Sequence, residues 1–208
     1  MKWRWRSSLI SGDSWEVDVR RVAIGAGLYL LAGVLAYFIP DDALLPRVAT
    51  VAVVAFGALY GSVVGSGVGL VGGVLSDVFY GSVWWHWDVG LGILGGIAGL
   101  GRMGGGGARV TARDVGKTAV MALVGSFAGM YFAGLVDVLA GTPAETALGN
   151  WAWRAAVSNA VFGATLGPVA AWLTVDEPVR KRIGETVAAT LARVKGLRLP
   201  GAKKQPPQ

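Results

Sequence analysis

Residues 48–76 read VATVAVVAFGALYGSVVGSGVGLVGGVLS, 29 residues without a single charge. One helix of that length would run about 44 Å at 1.5 Å per residue. A bilayer's hydrocarbon core is only roughly 30 Å thick. The run therefore folds back on itself, and the break falls best at Tyr60-Gly61-Ser62, where a glycine interrupts the apolar pattern. That gives a short helix before Tyr60 and a second from about Val63 to Tyr80. Four further apolar blocks flank the pair: Val22 to Ile39, ended by Pro40; about Asp88 to Leu100; Thr118 to Ala140; and Trp153 to Val175. The expected fold class is an all-α integral membrane protein, a bundle of six transmembrane helices.

Composition agrees. The 208 residues are 53% hydrophobic and only 15% charged, with mean hydropathy +0.54. Soluble domains carry about 25% charged residues. The 33 glycines suit close backbone approach between membrane helices. With no cysteine, disulfides, thiolate catalysis and cysteine-ligated metals are excluded. No cleavable signal peptide is expected, because the first apolar block begins after Arg20 and Arg21 without a convincing cleavage site.

The net charge of +6 belongs to topology rather than to nucleic-acid binding. With six spans and both termini cytoplasmic, 17 of the 19 basic residues face inward: those before helix 1, those of the loop after helix 4, and those of the tail. Only Arg47 and Arg154 fall outside. Five or seven spans would strand the basic tail on the outer side. The chain divides into a basic N-terminal segment (1–21), a six-helix transmembrane domain (22–175) and a basic tail (176–208). Within the tail, Ile183, Val187, Leu191 and Val194 recur near a helical period, as in an amphipathic helix on the inner surface. The segment Gly104 to Gly107 reads as a cytoplasmic hinge.

The outer loops are different in kind. They hold Asp41 and Asp42, then Trp84-Trp85-His86-Trp87-Asp88, then Glu145, Asn150, Trp151 and Trp153. Polar groups within a bilayer are costly and usually face a cavity or a partner. Asp77, Asp88, Asp137 and Asn159 all fall in the outer half of the membrane. The tryptophans fit an interfacial belt, or a stacking wall for a flat ligand. Asp77 fits a loop brace or a ligand contact. Asn159 fits an interhelical hydrogen bond or a ligand contact. His86, the only histidine, has no partners at metal-ligand spacing. Small residues four apart (Ala23/Gly27, Ala32/Ala36, Gly65/Gly69/Gly73, Gly92/Gly96, Gly125/Gly129) suit helix packing, and those on helix 1 also suit a partner. There is no phosphate-binding Gly-x-x-x-x-Gly-Lys-Ser/Thr loop, no His-Glu-x-x-His and no Gly-x-Ser-x-Gly, so the chain is not itself an ATPase.

Four stretches together carry a resemblance: Phe56 to Gly65, Gly69 to Asp77, Tyr80-Gly-Ser-Val-Trp-Trp-His-Trp87, and Gly92 to Leu100. Their order, helix, acidic residue, tryptophan-rich turn, glycine-rich helix, resembles the substrate-binding (S) component of energy-coupling factor (ECF) transporters, in its riboflavin-transporter-like S family. Val22 to Gly27 is similar to that family's opening, and Val157 to Val161, with Asn159, to its last helix. Two features depart from the pattern: Ser76 before Asp77, and Asp137.

The resemblance implies a non-enzymatic subunit that captures a vitamin or related small molecule, riboflavin by the family's label, at the outer half of the membrane. Its partners would be a transmembrane coupling subunit and two ATPase subunits. The substrate-binding candidates are Asp77, Tyr80, Trp84, Trp85, His86, Trp87, Asp88, Asn150, Trp151 and Asn159. Ala23, Gly27 and Ala32 would meet the coupling subunit. No cofactor or metal is expected. The competing expectations are a lipid-modifying membrane enzyme, for which Asp77, His86 and Asp88 form the only possible set, and a self-sufficient carrier.

Overall fold

The structure is a computed structural model that describes residues 15–37, 48–103 and 110–175. Asp41 and Asp42, Arg47, the Gly104 to Gly107 hinge and the basic tail lie outside the described residues. Six α-helices and one π-helical segment occur among those described: α1 (Trp15–Tyr37), α2 (Thr50–Tyr60), α3 (Ser62–Tyr80), α4 (Trp85–Leu100), α5 (Ala112–Leu139), the π segment (Glu145–Ala152) and α6 (Trp153–Val175). No strand occurs among these residues.

Three stretches are long and apolar enough to cross a membrane: α3, α5, and the π segment continuous with α6. The side-chain pattern shows which solvent they meet. Ile24, Leu28 and Leu31 of α1, Leu70, Val78 and Phe79 of α3, Leu123 and Leu135 of α5, and Val161 and Leu166 of α6 are all exposed. Asp88, Thr118, Ser126, Asp137 and Asn159 are buried instead. Apolar groups outside and polar groups inside is the arrangement lipid favours. The chain is an all-α membrane protein.

The break in the 48–76 run is a single residue. α2 stops at Tyr60, α3 starts at Ser62, and Gly61 between them has φ +99°, a region L side chains rarely adopt. α1 begins earlier than its apolar block suggested. Glu16 and Asp18 suit its first turn, Asp18 pairs with Arg21 at 3.1 Å, and the Arg21 guanidinium lies 4.4 Å over the Tyr60 ring. α4 and α5 also begin before their apolar runs, at Trp85 and Ala112. The Trp85-His86-Trp87 stretch, expected in a loop, is the first turn of α4. The stretch from Glu145 to Ala152, also expected in a loop, is π-helical.

α4 is the central helix, packed on α2, α3 and α5; α6 packs on α5 and α2, and α1 on α3 and α2. Glycines set these distances. A Cβ on Gly95 would come 2.1 Å from the Gly65 carbonyl oxygen, and one on Gly129 would come 2.1 Å from that of Gly90. Gly95 and Gly99 meet the backbone of Gly65 and Ser62 on α3, and the Gly92/Gly96 pair legible from spacing packs beside them on Ser66 of the same helix. The Gly92 carbonyl also accepts a hydrogen bond from the Ser66 hydroxyl at 2.9 Å. A core of Val53, Val54, Val64, Val68, Leu94, Ala98 and Ala122 fills the middle.

The two ends of the bundle differ. One gathers the start of α1, the turn at Gly61, the end of α4 and the start of α5, bearing Arg20, Arg21, Arg102, Arg113 and Lys117. Met103 ties that end together by donating its N–H to the Ala58 carbonyl at 2.8 Å. The opposite end gathers the α3–α4 turn, the end of α5, the π segment and the start of α6. It carries Trp84, Trp85, Trp87, Trp151 and Trp153 with Asp77, Asp88, Asp137 and Glu145.

Candidate functional site

At the aromatic end lies an open cleft of about 450 Å³, lined by Asp77, Trp84, Trp87, Trp151 and Arg154. Three elements build it. The first is the α3–α4 turn. Gly81 ends α3 in the left-handed conformation (φ +83°), and Ser82 donates its N–H back to the Asp77 carbonyl at 3.0 Å. The Asp77 carboxylate then accepts the backbone N–H of Trp84. The Trp84 carbonyl in turn accepts from Trp87 at 2.8 Å and Asp88 at 3.3 Å, opening α4. Asp77 is thus a brace that fixes where Trp84 and Trp87 stand, and its carboxylate also lines the cleft.

The second element joins α4 to α5. Asp137 is buried near the end of α5. Its two oxygens meet His86 Nε2 at 2.9 Å and Trp87 Nε1 at 3.2 Å. His86, 9% exposed, is therefore committed to Asp137 rather than grouped with Asp77 and Asp88. The third element is the π segment. Ala147 and Ala152 seat it on α5 at Gly134, where a Cβ would come 2.9 Å from that of Ala152. The wider winding, often found at functional sites, brings Trp151 and Arg154 to the cleft from one continuous helical stretch.

Of the sequence candidates, the cleft brings together Asp77, Trp84, Trp87 and Trp151. His86 supports them through Asp137. Tyr80 lies elsewhere, its hydroxyl donating to the Gly33 carbonyl of α1 at 3.0 Å. Trp85 and Asn150 are exposed outside the lining. Trp153, also exposed, packs its ring against Phe127 at 5.8 Å.

Asp88 and Asn159 are buried at 2% and 0% exposure. Among the described residues, the Asp88 Oδ2 and both amide atoms of Asn159 have no hydrogen-bond partner. Burying such atoms unpaired is costly, so both residues are disposed to bind a further polar group. Neither is among the cleft's lining residues.

On α1, Ala23 and Gly27 share an exposed face with Ile24 and Leu28, and a Cβ on Gly27 would meet nothing within 4 Å. Ala32, one turn beyond Leu28, is half-buried at the edge of that face.

Two residues gain importance only in three dimensions. Arg154 lines the cleft, and its signal in the sequence was that it broke the inward count of basic residues. Asp137 is the hub of the His86 and Trp87 contacts, and sequence order places nothing beside it.

The model of the family described as "ECF-type riboflavin transporter, S component" matches residues 17–174. A UPF0397 protein from Lactobacillus delbrueckii subsp. bulgaricus is 38% identical over 96 residues, which make up 42% of this chain and 50% of the relative. The match thus spans about half of that curated relative's length. No solved structure matches the chain.

Proposed function

The chain belongs to the family of ECF-type riboflavin transporter S components, and from that membership we infer that it captures a small molecule for import by partner subunits. The family is one of multi-pass membrane transporter components, not of enzymes. In this reading all six α-helices cross the membrane, and the basic end faces the cytoplasm in accord with the positive-inside rule. The aromatic end then faces outward and meets the substrate. The substrate is a vitamin or related flat molecule, riboflavin-like in its ring system. The indoles of Trp84, Trp87 and Trp151 stack on it, and Asp77 supplies an acceptor at the rim. Asp88 and Asn159, buried with unpaired oxygen and amide atoms, supply polar contacts below. His86 acts through Asp137 to hold Trp87 in position.

The observation that carries this reading is the cleft itself, where one acid, three indoles and one guanidinium converge at the end opposite the basic cluster. The exposed Ala23–Gly27 face of α1 suits close docking of a coupling subunit, with two ATPase subunits supplying the energy. Tryptophan fluorescence of the purified chain, titrated with a vitamin panel, tests the capture role. At least one compound should quench the signal saturably. W84A, W87A and W151A should each weaken that response about three- to tenfold, the usual worth of an aromatic contact. W85A and W153A, whose rings lie off the lining, should not. Equal loss from all five would reject the cleft as the site. Multiple-turnover uptake by the chain alone in liposomes would reject the dependence on partners.

A further inference from the structure

We propose that the molecule taken by this cleft carries a negatively charged carboxylate or phosphate on a flat aromatic framework, and that Arg154 selects for that charge; the proposal rests on the capture role above and narrows its substrate class. Arg154 is the second residue of α6, with its side chain at the cleft wall beside Trp84, Trp87 and Trp151. None of the nearby acids pairs with Arg154, although Asp77 lines the same cleft. Asp77 accepts the backbone N–H of Trp84, and Asp137 takes His86 and Trp87. Among the described residues the Arg154 guanidinium has no carboxylate within ion-pair distance and no hydrogen-bond acceptor.

A guanidinium offers a planar fork of donors that matches a carboxylate or phosphate bidentately. Placed beside indole faces, it lets one wall stack the ring while the fork holds the charge. A neutral flat ligand would use the indoles and leave the guanidinium unused. An oxyanion could also come from a lipid headgroup. The position of Arg154 among three indoles favours a soluble aromatic molecule over a phospholipid, whose acyl chains offer no flat face to stack.

The test uses the full chain in uncharged, phosphate-free maltoside micelles. Two matched pairs serve as probes: riboflavin and its 5′-phosphate, and nicotinamide and nicotinate. Binding is read by tryptophan quenching and by equilibrium dialysis. In at least one pair the anionic member should bind about tenfold or more tightly, the scale of a hydrogen bond to a charged group. R154Q should bring the two members within about twofold. R154K, which keeps the charge without the fork, should retain part of the preference. Arg154 is exposed, so an unchanged melting temperature is expected for both variants.

Equal affinity within both pairs, or a preference that survives R154Q, overturns the proposal and leaves the capture role standing. Quenching by added phosphatidylglycerol that R154Q abolishes, with no response to the soluble anions, assigns the guanidinium to lipid and overturns it as well. Binding of neutral and charged probes alike failing, across these pairs and the wider panel, removes the capture role together with the proposal.

Discussion

Asp137 and Trp87 lie 50 positions apart in sequence, yet the indole Nε1 of Trp87 donates to the Asp137 Oδ2 at 3.2 Å. The same carboxylate meets His86 Nε2 at 2.9 Å on its other oxygen. One side chain of α5 thus fixes two consecutive rings at the start of α4, one of which lines the cleft. Losing a buried partner costs roughly 1–3 kcal/mol for each group left unsatisfied. D137A should therefore destabilise the protein by about 2–4 kcal/mol, and D137N, which keeps one acceptor, by about half as much. Thermal unfolding in detergent measures both. A D137A melting temperature within a degree of wild type would show that the tie contributes nothing.

The glycine contacts make a contrasting pair of predictions. At Gly95 an added methyl meets the Gly65 carbonyl oxygen at 2.1 Å, a backbone atom that cannot rotate away. Overpacking in a core costs about 1–3 kcal/mol where neighbours can adjust. Here two helices must separate, so G95A should fall at or beyond the upper end of that range. G27A meets nothing within 4 Å and should leave stability unchanged. Far-ultraviolet circular dichroism melts of the two variants settle the contrast. Equal melting temperatures would mean that α3 and α4 are not held at glycine distance.

Much of this fold could be read from the chain because membrane helices follow one-dimensional rules. The uncharged run of 48–76 exceeds the bilayer, so a break was required, and Gly61 was the residue able to make it. The glycine register was harder. Spacing shows Gly92/Gly96 as readily as Gly95/Gly99, and only the rotation of α4 against α3 shows that both pairs face α3 and that Gly95 and Gly99 come closest, against backbone. Helix starts were misplaced for a related reason. Asp18, Arg21, His86 and Trp87 look like loop residues by polarity, but each has a partner that admits it to a helix: Arg21 for Asp18, Tyr60 for Arg21, Asp137 for His86 and Trp87. The tryptophan cluster was visible, but its division was not. Trp84 and Trp87 line the cleft while Trp85 between them does not, because helical winding sends successive side chains about 100° apart. The π segment has no local signal at all.

At the opposite end, Thr111 and Asp114 cap α5. The Thr111 hydroxyl accepts from the Asp114 N–H at 3.4 Å, and the Asp114 carboxylate accepts the Thr111 N–H at 2.9 Å. That N–H, then the Thr111 hydroxyl, hold the Asp114 carboxyl below its ordinary value of 3.8, with Lys117 and Arg113 adding smaller contributions in the same direction and burial opposing them. A carboxyl with a lowered folded-state value stabilises the fold above the unfolded value and loses that contribution as pH falls through the folded one. Between pH 5 and pH 2, wild type should therefore lose more stability than D114N, with the two curves parallel above pH 5. T111A should cost about 1 kcal/mol near neutral pH. Parallel curves across the whole acid range would mean that the cap carries no linkage.

Asn159 allows stability and binding to be separated. It is fully buried, and both side-chain amide atoms lack a partner among the described residues. A buried residue kept for structure would be hydrogen-bonded, and replacing it would destabilise the fold. Substituting an unpaired buried amide by an apolar side chain of similar size is neutral or favourable, because the desolvation cost disappears. N159L should thus leave the melting temperature unchanged or raise it by a few degrees. If Asn159 contacts the substrate, the same change should weaken binding by roughly tenfold, close to the worth of one or two hydrogen bonds. Binding must weaken without a loss of stability, as expected where a site holds polar groups that stability alone would not select. A fall in melting temperature with binding intact would make Asn159 a structural residue and remove it from the site.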